Sequence, residues 1–267
     1  MNIDFIILAA GKGTRMGGDS PKVLVNLAGK PMIQHLIDTV ETFPKAKTSV
    51  IVGHKAKEVE GSIYSQKKIN FVTQKNQLGT AHAVKQAVPF LRKNSVSVVL
   101  YGDAPLVTRK TLSKLIKSAS SGKMALLTYK KEDPSGYGRI IRGSRKNIEK
   151  IIEHKDASNK EREIQEVNSG ILAVKTSTLQ KYLPSIKNNN AAKEYYLTDL
   201  IEIANKNSIA VVATLCDEHE VGGANDRQEL HDLERSFQKR TAESLLAKGV
   251  LVADTLRLDI RGDTQIG

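Results

Sequence analysis

Three short stretches hold side chains able to handle a phosphorylated nucleotide. The first, Leu8-Ala9-Ala10-Gly11-Lys12-Gly13-Thr14-Arg15-Met16, follows the apolar run from Phe5 and precedes Pro21-Lys22-Val23-Leu24. Glycines let backbone N–H groups approach an anion closely, while Lys12, Arg15 and Lys22 bring charge that can stabilise negative charge developing on a phosphate. A pyrophosphate fits such a loop. The spacing matches neither G-x-x-x-x-G-K-[ST] nor G-x-G-x-x-G, since Met16 stands three residues after Gly13, which argues against a P-loop NTPase and a Rossmann dehydrogenase. Taken alone, the same residues also fit a tight strand-to-helix turn with surface lysines.

The second stretch is Leu100-Tyr101-Gly102-Asp103-Ala104-Pro105-Leu106, where a buried strand ends in an aromatic, a glycine and a carboxylate. Ligands of open α/β sheets bind beyond the carboxyl ends of strands, so Asp103 stands where a hard cation such as Mg²⁺ would bridge phosphates. The plainer reading makes Asp103 the cap of a helix beginning near Pro105. The third stretch, Thr73-Gln74 with Gln77-Leu78-Gly79-Thr80-Ala81-His82-Ala83, brings a strand end to a helix start. Gln74 can present a donor and an acceptor to a pyrimidine edge, and Thr80 reads both as an N-cap and as a ligand. His82 reads as a helix-surface or packing residue, because nothing pairs it with a nucleophile.

These residues need a scaffold that holds them at one edge. Apolar β-type runs alternate with helical patterns, the mark of a mostly parallel sheet covered by helices. Strands are expected at Phe5 to Leu8, Ser49 to Val52, Ile69 to Thr73, Val96 to Leu100, Met124 to Thr128, Gly170 to Val174 and Ile209 to Thr214. Pro31 reads as the first residue of a helix on which Ile33, Leu36, Ile37 and Val40 form one face. Beyond residue 225, Asp226 and Glu229 supply the acceptor and the glutamate of a capping box, opening a helix with Leu230, Leu233, Phe237 and Leu245 that ends at Gly249. The expected class is therefore α/β, with one domain over residues 1–225 and a C-terminal helix and tail over 226–267. No internal repeat is found, and Asn188-Asn189-Asn190 reads as a polar loop.

Composition narrows the function classes. The 267 residues are 40% hydrophobic, enough for a sizeable core and too many for a disordered chain. The apolar runs fall far short of the roughly 18 residues of a membrane helix, and Met1-Asn2-Ile3-Asp4 leads straight into a strand. A cytoplasmic protein without membrane insertion is expected. The single cysteine, Cys216, rules out an internal disulfide and a cysteine-based metal site, and reads as a small buried residue. The formal charge of +12 suits phosphate-rich substrates. Its lysines and arginines are dispersed and only 4% of residues are aromatic, with no Trp, which argues against a nucleic-acid partner.

In order along the chain, the stretches above are joined by Gly136-Tyr137-Gly138-Arg139-Ile140, Glu153-His154-Lys155-Asp156-Ala157, Asn168-Ser169-Gly170-Ile171, Glu194-Tyr195-Tyr196-Leu197-Thr198-Asp199 and Asn225-Asp226-Arg227. Together they resemble the uridylyltransferase domain of the bacterial bifunctional N-acetylglucosamine-1-phosphate uridylyltransferase/glucosamine-1-phosphate acetyltransferase family. The first motif alone marks the wider sugar-nucleotidyltransferase family, whereas the motifs from Gly136 and Glu153 point to this branch.

The resemblance implies a Rossmann-like nucleotidyltransferase fold with a mostly parallel mixed sheet and a C-terminal helix. It also implies Mg²⁺-assisted, reversible transfer of a uridylyl group from UTP to N-acetylglucosamine 1-phosphate, giving UDP-N-acetylglucosamine and pyrophosphate for peptidoglycan and lipopolysaccharide precursors. The sugar phosphate is already a competent nucleophile, so positioning and charge neutralisation matter more than a general base. Carried over by position, Leu8, Ala9 and Gly11 line the uridine and phosphate side, and Gln74, Gly79 and Thr80 complete the uracil pocket. Arg15 and Lys22 contact the reacting phosphates, and Asp103 and Asn225 hold Mg²⁺. Tyr101, Gly102, Gly138, Glu153 and Asn168 surround the sugar and ribose, with Tyr196 and Thr198 on a loop beside them.

The main departure is length. The family's bifunctional members continue into a left-handed parallel β-helix of hexapeptide repeats, so no β-helix is expected in this chain, and the resemblance implies for it neither the acetyltransferase half with its coenzyme A site nor the trimer contacts, leaving its homo-oligomeric state open. Gly222-Gly223 adds a flexible point just before Asn225, which also starts the terminal helix. Glu153 fits a surface pair with Lys155 as well, and Tyr137 fits a loop aromatic. Competing functions are the same reaction with glucose 1-phosphate or another nucleotide, and a non-catalytic nucleotide-binding module.

Overall fold

Phe5, Ile6 and Ile7 are all fully buried, because the first strand is covered by helices on both faces, and for that reason it is an apolar run rather than an alternation. The computed structural model describes residues 1–11, 20–53, 55–143, 147–262 and 264–266. In chain order these form β1 (Asn2–Ala9), β2 (Asn26–Leu27), β3 (Lys30–Pro31), α1 (Met32–Glu41), β4 (Ala46–Val52), α2 (Ala56–Gly61), β5 (Ile69–Thr73), α3 (Thr80–Ala87), β6 (Ser95–Tyr101) and α4 (Arg109–Ser120). They continue as β7 (Met124–Lys130), β8 (Arg139–Arg142), β9 (Ile148–Ile152), α5 (Asn159–Arg162), β10 (Glu166–Lys175), α6 (Thr176–Tyr182), α7 (Asp199–Lys206), β11 (Val211–Leu215), α8 (Glu218–Val221) and α9 (Arg227–Ala247).

Among the described residues, nine strands form one sheet in the order β11-β7-β10-β6-β1-β4-β5, with β8 paired to β10 and β9 paired to β8. β1 runs parallel to β4 and β6, β4 to β5, and β7 to β11, whereas β10 is antiparallel to β6, β7 and β8. The sheet is thus mostly parallel and mixed, as expected. Ile3, Phe5, Ile7 and Ala9 of β1 pack in one core with α1 and α4, while Ile6 packs in a second with α3, α6 and α7. The result is three layers, helix on sheet on helix.

The chain moves outward from β1 to β4 and β5 on one side and returns to β6 on the other, so the strand order reverses between β1 and β6. Crevices that bind ligands form at such a switch, beyond the strands' carboxyl ends. Gly102, just after β6, donates its N–H to the carbonyl of Leu8 at 2.9 Å, which ties the two strand ends together there.

Several local expectations need correction. Pro31 ends β3 and is the N-cap of α1 rather than its first residue. Its fixed φ, -53° here, suits either position. No helix begins near Pro105: α4 starts at Arg109 under Thr108, whose hydroxyl accepts from Thr111 N at 3.1 Å, so Asp103 is free of a capping role. Thr80 is the first residue of α3, with Gly79 as its N-cap. The capping box of α9 is divided. Asp226 accepts from Glu229 N at 2.9 Å, but the Glu229 carboxylate reaches the backbone N–H of Asn225 at 2.6 Å. The hairpin of β8 and β9 was not anticipated, because its strands are short and carry Arg139, Arg142 and Lys150 among their apolar residues.

Two features bear on the site. β10 shifts register between Asn168 and Leu172, and the bulge is closed by its own side chains: Asn168 Oδ1 accepts from Gly170 N at 3.0 Å, and Ser169 Oγ accepts from Ile171 N at 3.1 Å. Such bulges bend a strand and re-aim its side chains. The second feature is α9. Its Leu233 packs in a small cluster with Leu27, Met32, Leu106 and Ala224, while Arg240 donates to the Leu106 carbonyl at 2.6 Å.

Candidate active site

A cleft opens at the switch between β1 and β6. It is bounded by Leu8, Ala9, Ala10 and Gly11 at the end of β1, by Gln74, Gln77, Gly79 and Thr80 around the start of α3, and by Lys22, Tyr101 and Asp103. Nine expected site residues meet there. Arg15 lies outside the described residues.

One wall carries charge. Lys22 Nζ lies 2.5 Å from Asp103 Oδ2 and 2.8 Å from Asn225 Oδ1. Lys22 comes from a 3-10 turn at Lys22–Leu24, Asp103 from the end of β6, and Asn225 from the approach to α9. Asp103 and Asn225, 81 and 203 positions from Lys22, thus place two hard oxygens around its cation. Gly223 allows that approach, because a Cβ on it would lie 2.9 Å from the Asp103 carbonyl and 3.2 Å from its Oδ2. Asn225 therefore reaches the lysine that Asp103 also faces, despite the preceding glycine pair. Among the described residues no group of three or more His, Cys, Asp or Glu is poised to hold a metal. A carboxylate and an amide oxygen still form a donor set for Mg²⁺, which keeps waters and binds substrate phosphates rather than filling a protein cage.

The opposite wall is laced by backbone. Tyr195 N donates to Leu78 O at 2.8 Å, Ala81 N donates to Tyr195 O at 2.9 Å, and Leu197 N donates to Thr80 Oγ1 at 2.9 Å. Gly79, at φ +109°, is required here, because a Cβ would meet Tyr195 backbone atoms at 2.6 to 2.7 Å. Gln74 is only 4% exposed. Its Nε2 lies 3.2 Å from the Gly79 carbonyl and 2.9 Å from His82 Nδ1.

Deeper in, a small cavity is lined by Tyr101, Asn168, Gly170, Leu197 and Thr198 with apolar neighbours. Gly170 takes φ +81° and lies under the Tyr101 ring, where any Cβ would overlap it. Glu153 accepts from Thr198 Oγ1 at 3.2 Å, and a Cβ on Gly138 would lie 3.3 Å from both its oxygens. Burial, foremost, pushes the Glu153 carboxyl above the usual range; the Thr198 hydrogen bond opposes this, and Asp156 and Asp199 add to the rise. This half-buried group faces the cavity side, not Lys155. Burial, then Glu153 and Asp103, also raise the Tyr101 phenol. The Tyr196 phenol is raised by burial and by Glu153, which puts it within the same field.

The sequence reading gave no role to Gln77, Arg139 or Glu194. Gln77 Nε2 donates to the Ala10 carbonyl at 2.8 Å, just beyond the end of β1, and Glu194 also lines the cleft. Arg139, 1% exposed, donates to the carbonyls of Tyr137 and Arg162 and lies 3.3 Å from His154 Nδ1. Thus the motif from Gly136 is bonded to the motif from Glu153, holding Gly138 and Glu153 side by side. Tyr137 packs edge-on against Tyr129, with ring centroids 6.1 Å apart, under Lys131. Cys216 is half-buried rather than buried, and burial pushes its thiol up to about 12.

Comparison with known proteins agrees with this architecture. Over 266 residues the chain is 46% identical to the bifunctional protein GlmU of Cellvibrio japonicus, a match covering 99% of this chain and 58% of that protein. It is 45% identical to the bifunctional protein GlmU of Alcanivorax borkumensis, over 100% of this chain and 59% of the other. The chain thus spans about three fifths of the length of these curated relatives. Among solved structures, a UDP-glucose pyrophosphorylase complexed with UDP-glucose superposes with a TM-score of 0.71 at 15% identity, covering 90% of this chain and 100% of that one. That likeness shows the fold. Residues 5–173 match the family described as the MobA-like NTP transferase domain, and a parallel-sheet cleft with this family match over more than half its length makes the chain a member of that family.

Proposed function

We propose that this chain transfers a uridylyl group from UTP to N-acetylglucosamine 1-phosphate, releasing pyrophosphate and giving UDP-N-acetylglucosamine, a precursor for peptidoglycan and lipopolysaccharide. The observation that carries the reading is the meeting, beyond the ends of β1 and β6, of three parts: an amide-lined recess, the Lys22–Asp103–Asn225 cluster and the cavity beside Glu153 and Thr198. They match in kind a base, a phosphate chain and a sugar. The names and identity levels of the curated relatives support the same choice. The reaction takes place in the cytoplasm.

Asp103 and Asn225 would hold Mg²⁺, which when bound would supply positive charge to the phosphates of the nucleotide. Lys22, with Arg15, meets the phosphates. Gln74, Gly79 and Thr80 receive the base, while Leu8, Ala9 and Gly11 leave backbone close to the nucleotide. Tyr101, Gly102, Gly138, Glu153, Asn168, Tyr196 and Thr198 orient the sugar phosphate so that its own oxygen attacks phosphorus in line. No residue needs to carry a proton, because the nucleophile is already ionised.

The test is Mg²⁺-dependent pyrophosphate release from UTP with N-acetylglucosamine 1-phosphate, glucose 1-phosphate or no acceptor, for the wild type and Asp103→Ala. Activity with the first acceptor alone, lost in Asp103→Ala, is expected. Activity with glucose 1-phosphate instead would overturn the substrate, and silence with every acceptor would overturn the reaction.

A further inference from the structure

His82 has a partner that its sequence context does not reveal. On α3 its Nδ1 lies 2.9 Å from Gln74 Nε2. The same nitrogen of Gln74 lies 3.2 Å from the carbonyl of Gly79, which can only accept. The amide group facing these two atoms must therefore be the NH₂ and not the oxygen. Reversing the amide would set Gln74 Oε1 against the Gly79 carbonyl, leaving two acceptors in contact in a nearly buried position. Both N–H bonds of Gln74 are thus used inside the protein, one on Gly79 and one on His82. Its Oε1 has no hydrogen-bond partner among the described residues, and Gln74 is one of the residues that line the cleft.

Resting on the reading that the cleft takes a pyrimidine nucleotide, we propose that His82 is a positioning residue for base selection, holding the Gln74 amide together with the Gly79 carbonyl so that it offers the cleft an acceptor only. An acceptor at that point takes the ring N3–H of uracil or thymine. Cytosine presents an unprotonated N3, and the two lone pairs would face each other with no water between them. Discrimination of this kind is strong because a buried polar group is left unpaired by the wrong base. His82 does its work without touching the nucleotide.

The arrangement requires His82 to be the neutral tautomer with its proton on Nε2. Gln86 Nε2 stands 3.3 Å from that atom and 3.2 Å from the His82 carbonyl. A Gln86 that donates to Nε2 would favour the other tautomer. The contact to Gln74 is shorter and nearly buried, whereas Gln86 is half-buried and can turn its amide toward water, so the Gln74 contact governs the choice.

The test uses the full chain. Ring nitrogen shifts of His82 in ¹⁵N-labelled protein report the tautomer, and calorimetric Kd values for UTP and CTP with Mg²⁺ report selection, for wild type, His82→Phe and His82→Asn. Phe keeps the ring and removes the acceptor; Asn restores an acceptor near Nδ1. The expected result is a proton on Nε2, a UTP-over-CTP ratio that falls about tenfold in His82→Phe, as for loss of one fixed hydrogen bond, and recovery in His82→Asn. A proton on Nδ1, or an unchanged ratio in a folded His82→Phe, overturns the inference while leaving the reaction intact. A proportional loss of both affinities marks His82 as merely structural and also overturns it. A wild type that binds neither nucleotide overturns the pyrimidine reading itself and this inference with it.

Discussion

At the scale of residues, the site is governed by what each charged group faces. Lys22 holds its ammonium between Asp103 and Asn225, so a divalent cation bound there as proposed would compete with the lysine for the same two residues' oxygens. Removing the ammonium in Lys22→Ala is expected to tighten Mn²⁺ binding in the absence of nucleotide about fivefold, the worth of a partly exposed ion pair of ~1 kcal/mol. Free Mn²⁺ counted by electron paramagnetic resonance checks this, and an equal or weaker affinity would show that the lysine does not stand in the cation's place. Glu153 makes a second prediction. Its carboxyl is raised in the folded protein, chiefly by burial, so the folded state favours the protonated form. Its stabilising effect is complete below the usual glutamate range and is lost as pH rises through the elevated folded value. Glu153→Gln, which stays neutral, is therefore expected to gain stability relative to wild type as pH rises toward neutrality. Urea midpoints of both proteins across that window give the answer, and a difference independent of pH would contradict the cause assigned to the shift.

At the scale of elements, segments far apart in sequence close the cleft by backbone contact. The chain around Tyr195 lies so near Gly79 that a single added methyl would meet it at 2.6 Å, at a φ of +109° that other residues avoid. Gly79→Ala is expected to cost about 3 kcal/mol from strain and overlap together. A drop in the urea midpoint at constant m-value would register it, whereas a loss within a few tenths of a kcal/mol would mean that the segment moves aside cheaply. The bulge in β10 works in the same way, since Gly170 yields the space that the Tyr101 ring fills. Motif residues such as Gly138, Glu153 and Asn168 are legible as a set in the sequence. Their mutual support through Arg139 and the bulge is not, because it depends on which strands become neighbours.

At the scale of the whole molecule, α9 is part of the site's support. Leu233 is 6% exposed against Leu27, Met32 and Leu106, and the helix begins two residues after Asn225, whose N–H is held by Glu229. Leu233→Ala is expected to cost about 2–3 kcal/mol and to weaken Mn²⁺ binding in the same protein, because Asn225 is anchored through the helix. Lower stability with unaltered Mn²⁺ affinity would separate the helix from the site. The α/β class, the seven main sheet strands, the face of α1 and the start and end of α9 are legible in the sequence, since these follow from apolar spacing and capping chemistry within a few residues. The packed fold reveals that Asp103 pairs with Lys22 rather than capping a helix, that Glu229 holds Asn225, that His82 contacts Gln74, and that β8 and β9 extend the sheet. Each of those depends on distances between atoms remote in the chain, set by the order of strands and the packing of layers, which local periodicity does not encode.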